Sequence, residues 1–146
     1  MSSLPPAAVL GTLSPSDHAK LCAEYNAATQ QVVKGVCLAA ALFKLAVADP
    51  KTDDEARAGC TMTFDACLQQ TMPCDFDSKC TGTVAELNVC TTDTIDKLSA
   101  STAGLPACEG LTLAQLHGAN MSANFDEPAS CKTLDQKCPD STEGDQ

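Results

Sequence analysis

Apolar positions recur with a helical period from residue 14 onward. Ser14-Pro15-Ser16-Asp17 reads as a helix start, with Ser at the N-cap, Pro at the first helical position and an acid facing the positive end of the dipole. Leu21, Tyr25, Ala28 and Val32 follow at steps of three and four, with Cys22 beside them. The pattern continues through Val36, Cys37, Ala40 and Phe43 to the neighbourhood of Ala48, where Asp49-Pro50 stops it. One uninterrupted helix here would be about 50 Å long at about 1.5 Å per residue, awkward for a chain of this size. A break near Gly35 is therefore expected.

Thr52-Asp53-Asp54-Glu55 has the form of a capping box, and Ala56, Cys60, Thr63 and Cys67 then share one helical face as far as Thr71, before Pro73. A second box, Thr83-Val84-Ala85-Glu86, opens a helix whose inner face carries Leu87, Thr91, Ile95 and Leu98, with Cys90 next to them. Gly104 and Pro106 end it, and a shorter helix is expected over Leu111 to Leu116. No run alternates β-branched residues as a strand would. The predicted fold is all-α: a disulfide-stapled bundle of about four to five helices with an irregular C-terminal tail. Residues 1–13, Pro-bearing and without period, are expected to form a mobile leader. Residues 14–121 are the helical domain, and residues 122–146 are an acidic, irregular tail tethered by Cys131 and Cys138.

The staples are ten cysteines: Cys22, Cys37, Cys60, Cys67, Cys74, Cys80, Cys90, Cys108, Cys131 and Cys138. No C-x-x-C occurs, so zinc knuckles, thioredoxin-type pairs and c-type haem attachment have no anchor. An even, dispersed set reads as five disulfides formed in an oxidising compartment, secreted or on the exterior of the cell envelope. Aromatic residues are only 3% of the chain, so the core rests on small side chains and gains much from cross-links worth about 2–4 kcal/mol each. Cys60 and Cys67 lie two turns apart on one face, about 10 Å by helical rise, beyond the roughly 7 Å a bridge spans. If the helices near 53–71 and 83–101 pack antiparallel about a midpoint at Asp77, Cys67 meets the level of Cys90. The expected bridge is Cys67–Cys90, with Cys60 bonded outside that hairpin.

A formal net charge of −10 and the lack of a basic cluster repel nucleic acid and anionic membrane surfaces. The start of the chain lacks the basic and apolar regions of a signal peptide, so such a signal is expected to have been removed. The apolar run from Val36 to Ala48, interrupted by Lys44, falls short of the about 20 residues a bilayer span needs, and reads as a buried helix. No transmembrane segment is expected. That run could also line an apolar cavity, although packing into a core is favoured.

Candidate chemistry is sparse. His18 and His117 lie far apart in sequence, and oxidised cysteines offer no nucleophile. The Cys-Cys-x-x-His-Asp run of secreted phospholipases is absent. Asp75, Asp77 and Glu86 match the first, third and twelfth positions of an EF-hand, but Lys79 and Cys80 occupy positions that need a ligand and a glycine. Asp53, Asp54 and Glu55 are accounted for by capping and the helix dipole. Asn120-Met121-Ser122 is a glycosylation sequon, relevant only in a eukaryotic secretory pathway. No catalytic, metal or cofactor-binding residue is assigned.

One long stretch carries a resemblance. Cys60-Thr-Met-Thr-Phe-Asp-Ala-Cys67, Cys74, Cys80-Thr-Gly-Thr-Val-Ala-Glu-Leu-Asn-Val-Cys90, Leu105-Pro-Ala-Cys108 and Leu111-Thr-Leu113, preceded by Leu21-Cys22, resemble the small exported cysteine-rich proteins of myxobacteria. Many of those are lipoproteins without an assigned activity. The resemblance spans residues 14–116 and implies export and disulfides; it leaves open whether a lipid anchor lies upstream of residue 1. It carries no catalytic residues. The Gly-rich segment of some members is replaced here by Gln30 to Ala41. Cys108-Glu-Gly-Leu-Thr-Leu113 is also similar to a segment of elicitins, secreted helical sterol carriers with fewer cysteines. The expected function is an exported, non-catalytic module acting by binding or as a structural part at or outside the cell envelope, its partner an unknown protein or apolar ligand. The alternative is an extracellular carrier of a sterol, fatty acid or other apolar ligand.

Overall fold

Side-chain caps open four of the five helices in the computed structural model, which describes residues 2–70, 74, 76–119 and 126–138. Ser14 Oγ accepts from the Asp17 N–H at 3.2 Å and donates to Asp17 Oδ2 at 2.7 Å, fixing the start of α1, Pro15–Ala48. Thr52 Oγ1 accepts from the Glu55 N–H at 3.2 Å to begin α2, Asp53–Leu68. Thr83 and Glu86 exchange hydrogen bonds at the head of α3, Val84–Thr102: Oε2 of Glu86 accepts from the Thr83 N–H at 3.0 Å, and Thr83 Oγ1 from the Glu86 N–H at 3.3 Å. Thr112 and Gln115 form a further capping box, which starts α4, Leu113–Gly118, two residues later than the apolar pattern suggests. The last helix, α5, is Ala129–Lys137. Single 3-10 turns cover Leu10–Thr12 and Cys108–Gly110, and the described residues hold no strand, only an isolated β-bridge between Val9 and Thr83. The fold is an all-α, disulfide-stapled helical one, as expected.

α1 is 34 residues long and runs unbroken through Gly35, against the expected break. A Cβ at Gly35 would lie 2.5 Å from Thr102 Oγ1. Close packing, and not a change of direction, places glycine there. The ends follow the local signals: Asp49 takes φ 50 after α1, and Gly104 takes φ +85 after α3.

Contacts gather the chain into two compact units: Met1–Gln30 with Met72–Lys97 and Asp126–Gln146, and Gln31–Thr71 with Leu98–Phe125. The core of the first unit holds Leu4, Leu10, Leu21, Cys80, Val84, Leu87 and Leu134. Two of these, Leu4 and Leu10, belong to the stretch expected to be a mobile leader. That stretch is instead threaded along the approach to α3. Leu10 and Gly11 donate their N–H groups to the carbonyls of Gly82 and Cys80 at 2.8 and 3.1 Å, and Val84 and Ala85 donate to those of Ala8 and Pro6 at 2.9 Å each. Such mainchain pairing leaves no hydropathy period in the sequence. Within the stretch expected to be the tethered tail, residues 129–137 form α5, held by burial of Leu134 and the bridges at Cys131 and Cys138.

In the second unit Ala41, Leu42 and Leu45 of α1 pack with Ala56 and Cys60 of α2 and with Cys108, Leu111 and Leu116. Leu113 N–H donates to Asp53 Oδ1 at 2.9 Å, so the first residue of α2 also caps the short α4.

Candidate functional site

All ten cysteines are paired, as Cys22–Cys74, Cys37–Cys67, Cys60–Cys108, Cys80–Cys138 and Cys90–Cys131. The expected Cys67–Cys90 bridge is not formed. Cys67 reaches Cys37 of α1 at a Cα–Cα distance of 5.6 Å, and Cys90 reaches Cys131 of α5 at 4.7 Å. The hairpin argument fails because each helix turns its cysteine to a different neighbour inside its own unit. Cys60 does bond outside the hairpin, to Cys108. Three bridges lie within the first unit and two within the second.

The bridges differ in their surroundings. Cys60 and Cys108 are both buried, whereas Cys37–Cys67, Cys80–Cys138 and Cys90–Cys131 each pair one buried with one half-buried cysteine. In Cys22–Cys74 neither cysteine is buried. His18, one turn before Cys22 on α1, brings Nδ1 to 3.9 Å and Nε2 to 4.0 Å from Cys22 Sγ. Phe76 meets the imidazole edge-on, with ring centroids 5.8 Å apart and planes at 77°. The i, i+4 spacing of His18 and Cys22 is visible in the sequence, but a histidine beside an oxidised cysteine gives no reason to single it out.

The other candidates are occupied with structure. His117 is exposed in the last turn of α4. Asp54 pairs with Arg57, Asp53 caps α4, and Glu55 accepts from the Lys51 N–H at 2.8 Å. Asp77 Oδ1 accepts from the Lys79 N–H at 2.6 Å, while Glu86 is held by Thr83 and by an ion pair with Lys137 that keeps its carboxyl below the usual range. Asp75 and the sequon residues Asn120, Met121 and Ser122 lie outside the described residues. No three His, Cys, Asp or Glu side chains converge among the described residues.

Two kinds of apolar surface remain. A recess of about 50 Å³ lies between α1 and α3 in the first unit, lined by Leu21, Tyr25, Ala28, Leu87, Thr91 and Ile95. Open depressions flank Val89 of α3, one reaching Ser130 and Thr133 of α5. The second surface is on α1. The run expected to be a buried helix is buried on one face only: Val36, Phe43 and Val47 are 39%, 59% and 74% exposed, and Ala40 between them is exposed too. The small, tight core takes Cys37, Ala41, Leu42 and Leu45, and no described residue of the second unit covers the opposite stripe. By length and composition α1 is apolar enough to cross a membrane, with a mean hydropathy of 1.7 over 18 residues of which 28% are buried.

Comparison of the chain with protein-family models, with curated proteins and with solved structures yields no match.

Proposed function

We propose that this chain is an exported, non-catalytic binding module, held in shape by its disulfides and engaging its partner through the outer stripe of α1. The observation that carries the reading is the row Val36, Ala40, Phe43 and Val47, four apolar positions spaced as a helix-docking seam and left open to solvent. Five bridges fit an oxidising, extracellular-type compartment. They also supply rigidity, so that a partner meets a surface already ordered. Both cysteines of α1, Cys22 and Cys37, are tied to residues of the folded units, which supports α1 as a helix of the body and not a membrane span. Likeness to the exported cysteine-rich proteins of myxobacteria points the same way.

A carrier of sterol or fatty acid would need roughly 300–1,000 Å³ of enclosed space. Among the described residues the recess beside Tyr25 is about 50 Å³, and the depressions flanking Val89, about 250 and 170 Å³, are open to solvent, which favours the binding module over the carrier. Native mass spectrometry of protein purified from its natural host tests the choice. A bare protein mass, with a protein complex lost on Phe43→Asp and Val47→Asp substitution, is the expected result. A stoichiometric lipid adduct would replace the proposal with the carrier reading.

A further inference from the structure

We infer that Cys22–Cys74 is a thiol-exchange site, the one bridge of the five built to open to a small-molecule thiol, with His18 as the group that promotes its opening. Three independent features converge on it. It is the only bridge in which neither cysteine is buried, so an attacking thiolate can reach either sulfur, where Cys37–Cys67, Cys80–Cys138 and Cys90–Cys131 offer one and Cys60–Cys108 none. His18 stands 3.9 Å from Cys22 Sγ, and a neighbouring imidazolium stabilises a departing thiolate, which makes a sulfur a better leaving group. Phe76 packs edge-on against the ring, which holds the imidazole at the sulfur instead of leaving it free in solvent. Cys22 Sγ also lies 2.9 Å from the Cys74 carbonyl oxygen, an acceptor in place for the S–H that forms.

The exchange balances without any further reactant. A thiolate RS⁻ attacks Cys74 Sγ; the S–S bond breaks, a mixed disulfide RS–Sγ forms on Cys74, and the electron pair leaves on Cys22. His18 in its protonated form gives that sulfur a proton and is reprotonated by the next incoming thiol. The second thiolate then attacks the sulfur of the adduct, releasing RS–SR and the Cys74 thiolate, which takes the remaining proton. Two thiols are oxidised to one disulfide and the protein bridge is reduced to two thiols. Removal of this tie releases Cys74 from the first turns of α1, while the other four bridges stay closed.

The test is partial reduction of the native, full-length protein with glutathione, followed by rapid alkylation and peptide mapping. Cys22 and Cys74 should be labelled first, about tenfold faster than any other pair, and a glutathione adduct should appear on Cys74 before its loss. His18→Gln should slow opening of this bridge about three- to tenfold, leave the rates of the other four unchanged and leave the melting temperature of the oxidised protein unchanged; His18→Lys, which returns a cation, should restore most of the rate. Opening of another bridge first, simultaneous loss of all five, or an unchanged rate in His18→Gln overturns the inference. A lowered melting temperature in His18→Gln with no rescue by lysine would likewise overturn it, by assigning His18 a packing role.

Discussion

Gly11 lies beneath three mainchain carbonyls: a Cβ there would stand 2.6, 2.7 and 2.8 Å from the oxygens of Cys80, Ser78 and Asp77. Backbone oxygens in a bridged loop cannot swing aside as a side-chain tip can, so Gly11→Ala should destabilise the protein by about 1–3 kcal/mol in denaturant titration. Gly110→Ala, where nothing lies within 4 Å, is the matched control and should change little. A few residues earlier the chain depends on one carboxylate. Glu24 accepts from Ser3 Oγ at 2.5 Å, Ser2 Oγ at 2.7 Å and the Ser3 N–H at 3.0 Å, and these bonds, the Ser3 hydroxyl first, push its pKa down to about 2 from 4.5. The folded value lies below the unfolded one, so the clamp is complete above pH 4.5 and is lost as pH falls toward 2. Hydrogen exchange at the Ser3 amide should accelerate relative to its intrinsic rate across that window, and Glu24→Gln should remove the acid transition. Protection of Ser3 that persists at pH 2 would dissociate the carboxylate from the anchoring of the leader.

Elements were legible where the signal is local and illegible where it depends on which faces meet. The caps at Ser14, Thr52 and Thr83 stand where the sequence puts them, because a cap is satisfied by residues three positions away. Substitution of Thr83 by Ala removes one half of a full box and should cost about 1 kcal/mol, read as a loss of thermal stability. The bridges were not legible, since Cys67 and Cys90 each had several faces available and only the assembled units select Cys37 and Cys131. Gly35 was misread for a related reason. Taken by itself it is a weak point in a helix, yet against Thr102 it is the only residue that fits without adjustment. A double-mutant cycle separates the two meanings. Gly35→Ala alone should destabilise the protein, because the new methyl meets Thr102 Oγ1; in a Thr102→Ala background, which leaves only the residue 102 Cβ at 3.0 Å, the loss should shrink toward zero as the helix preference of alanine over glycine, about 1 kcal/mol, offsets the remaining contact. If Gly35→Ala stabilises both backgrounds equally, the contact with Thr102 does not determine the residue.

For the whole molecule, the question is what five bridges add to a chain long enough to fold without them. Their sequence separations run only from 30 to 58 residues. In the chain-entropy account each therefore constrains the unfolded state by nearly the same amount, about 4 kcal/mol, and entropy alone predicts five similar losses. What distinguishes them is the folded side. Cys60 is fully buried and Cys108 nearly so, both inside the core that Leu42, Leu111 and Leu116 complete, so their replacement also removes packed sulfur from a core with few large side chains. Cys22 and Cys74 sit at the margin of theirs. Five double Cys→Ala variants compared by thermal melting should therefore rank with Cys60/Cys108 as the most damaging and Cys22/Cys74 as the least. Hydrogen exchange should locate the first loss of protection within the unit whose bridge was removed, since every bridge joins residues of one unit. Five equal losses would mean that the cross-links act on the unfolded chain only. A ranking that instead followed sequence separation, with Cys80/Cys138 the most damaging, would mean that burial at Cys60 and Cys108 adds nothing to the folded state.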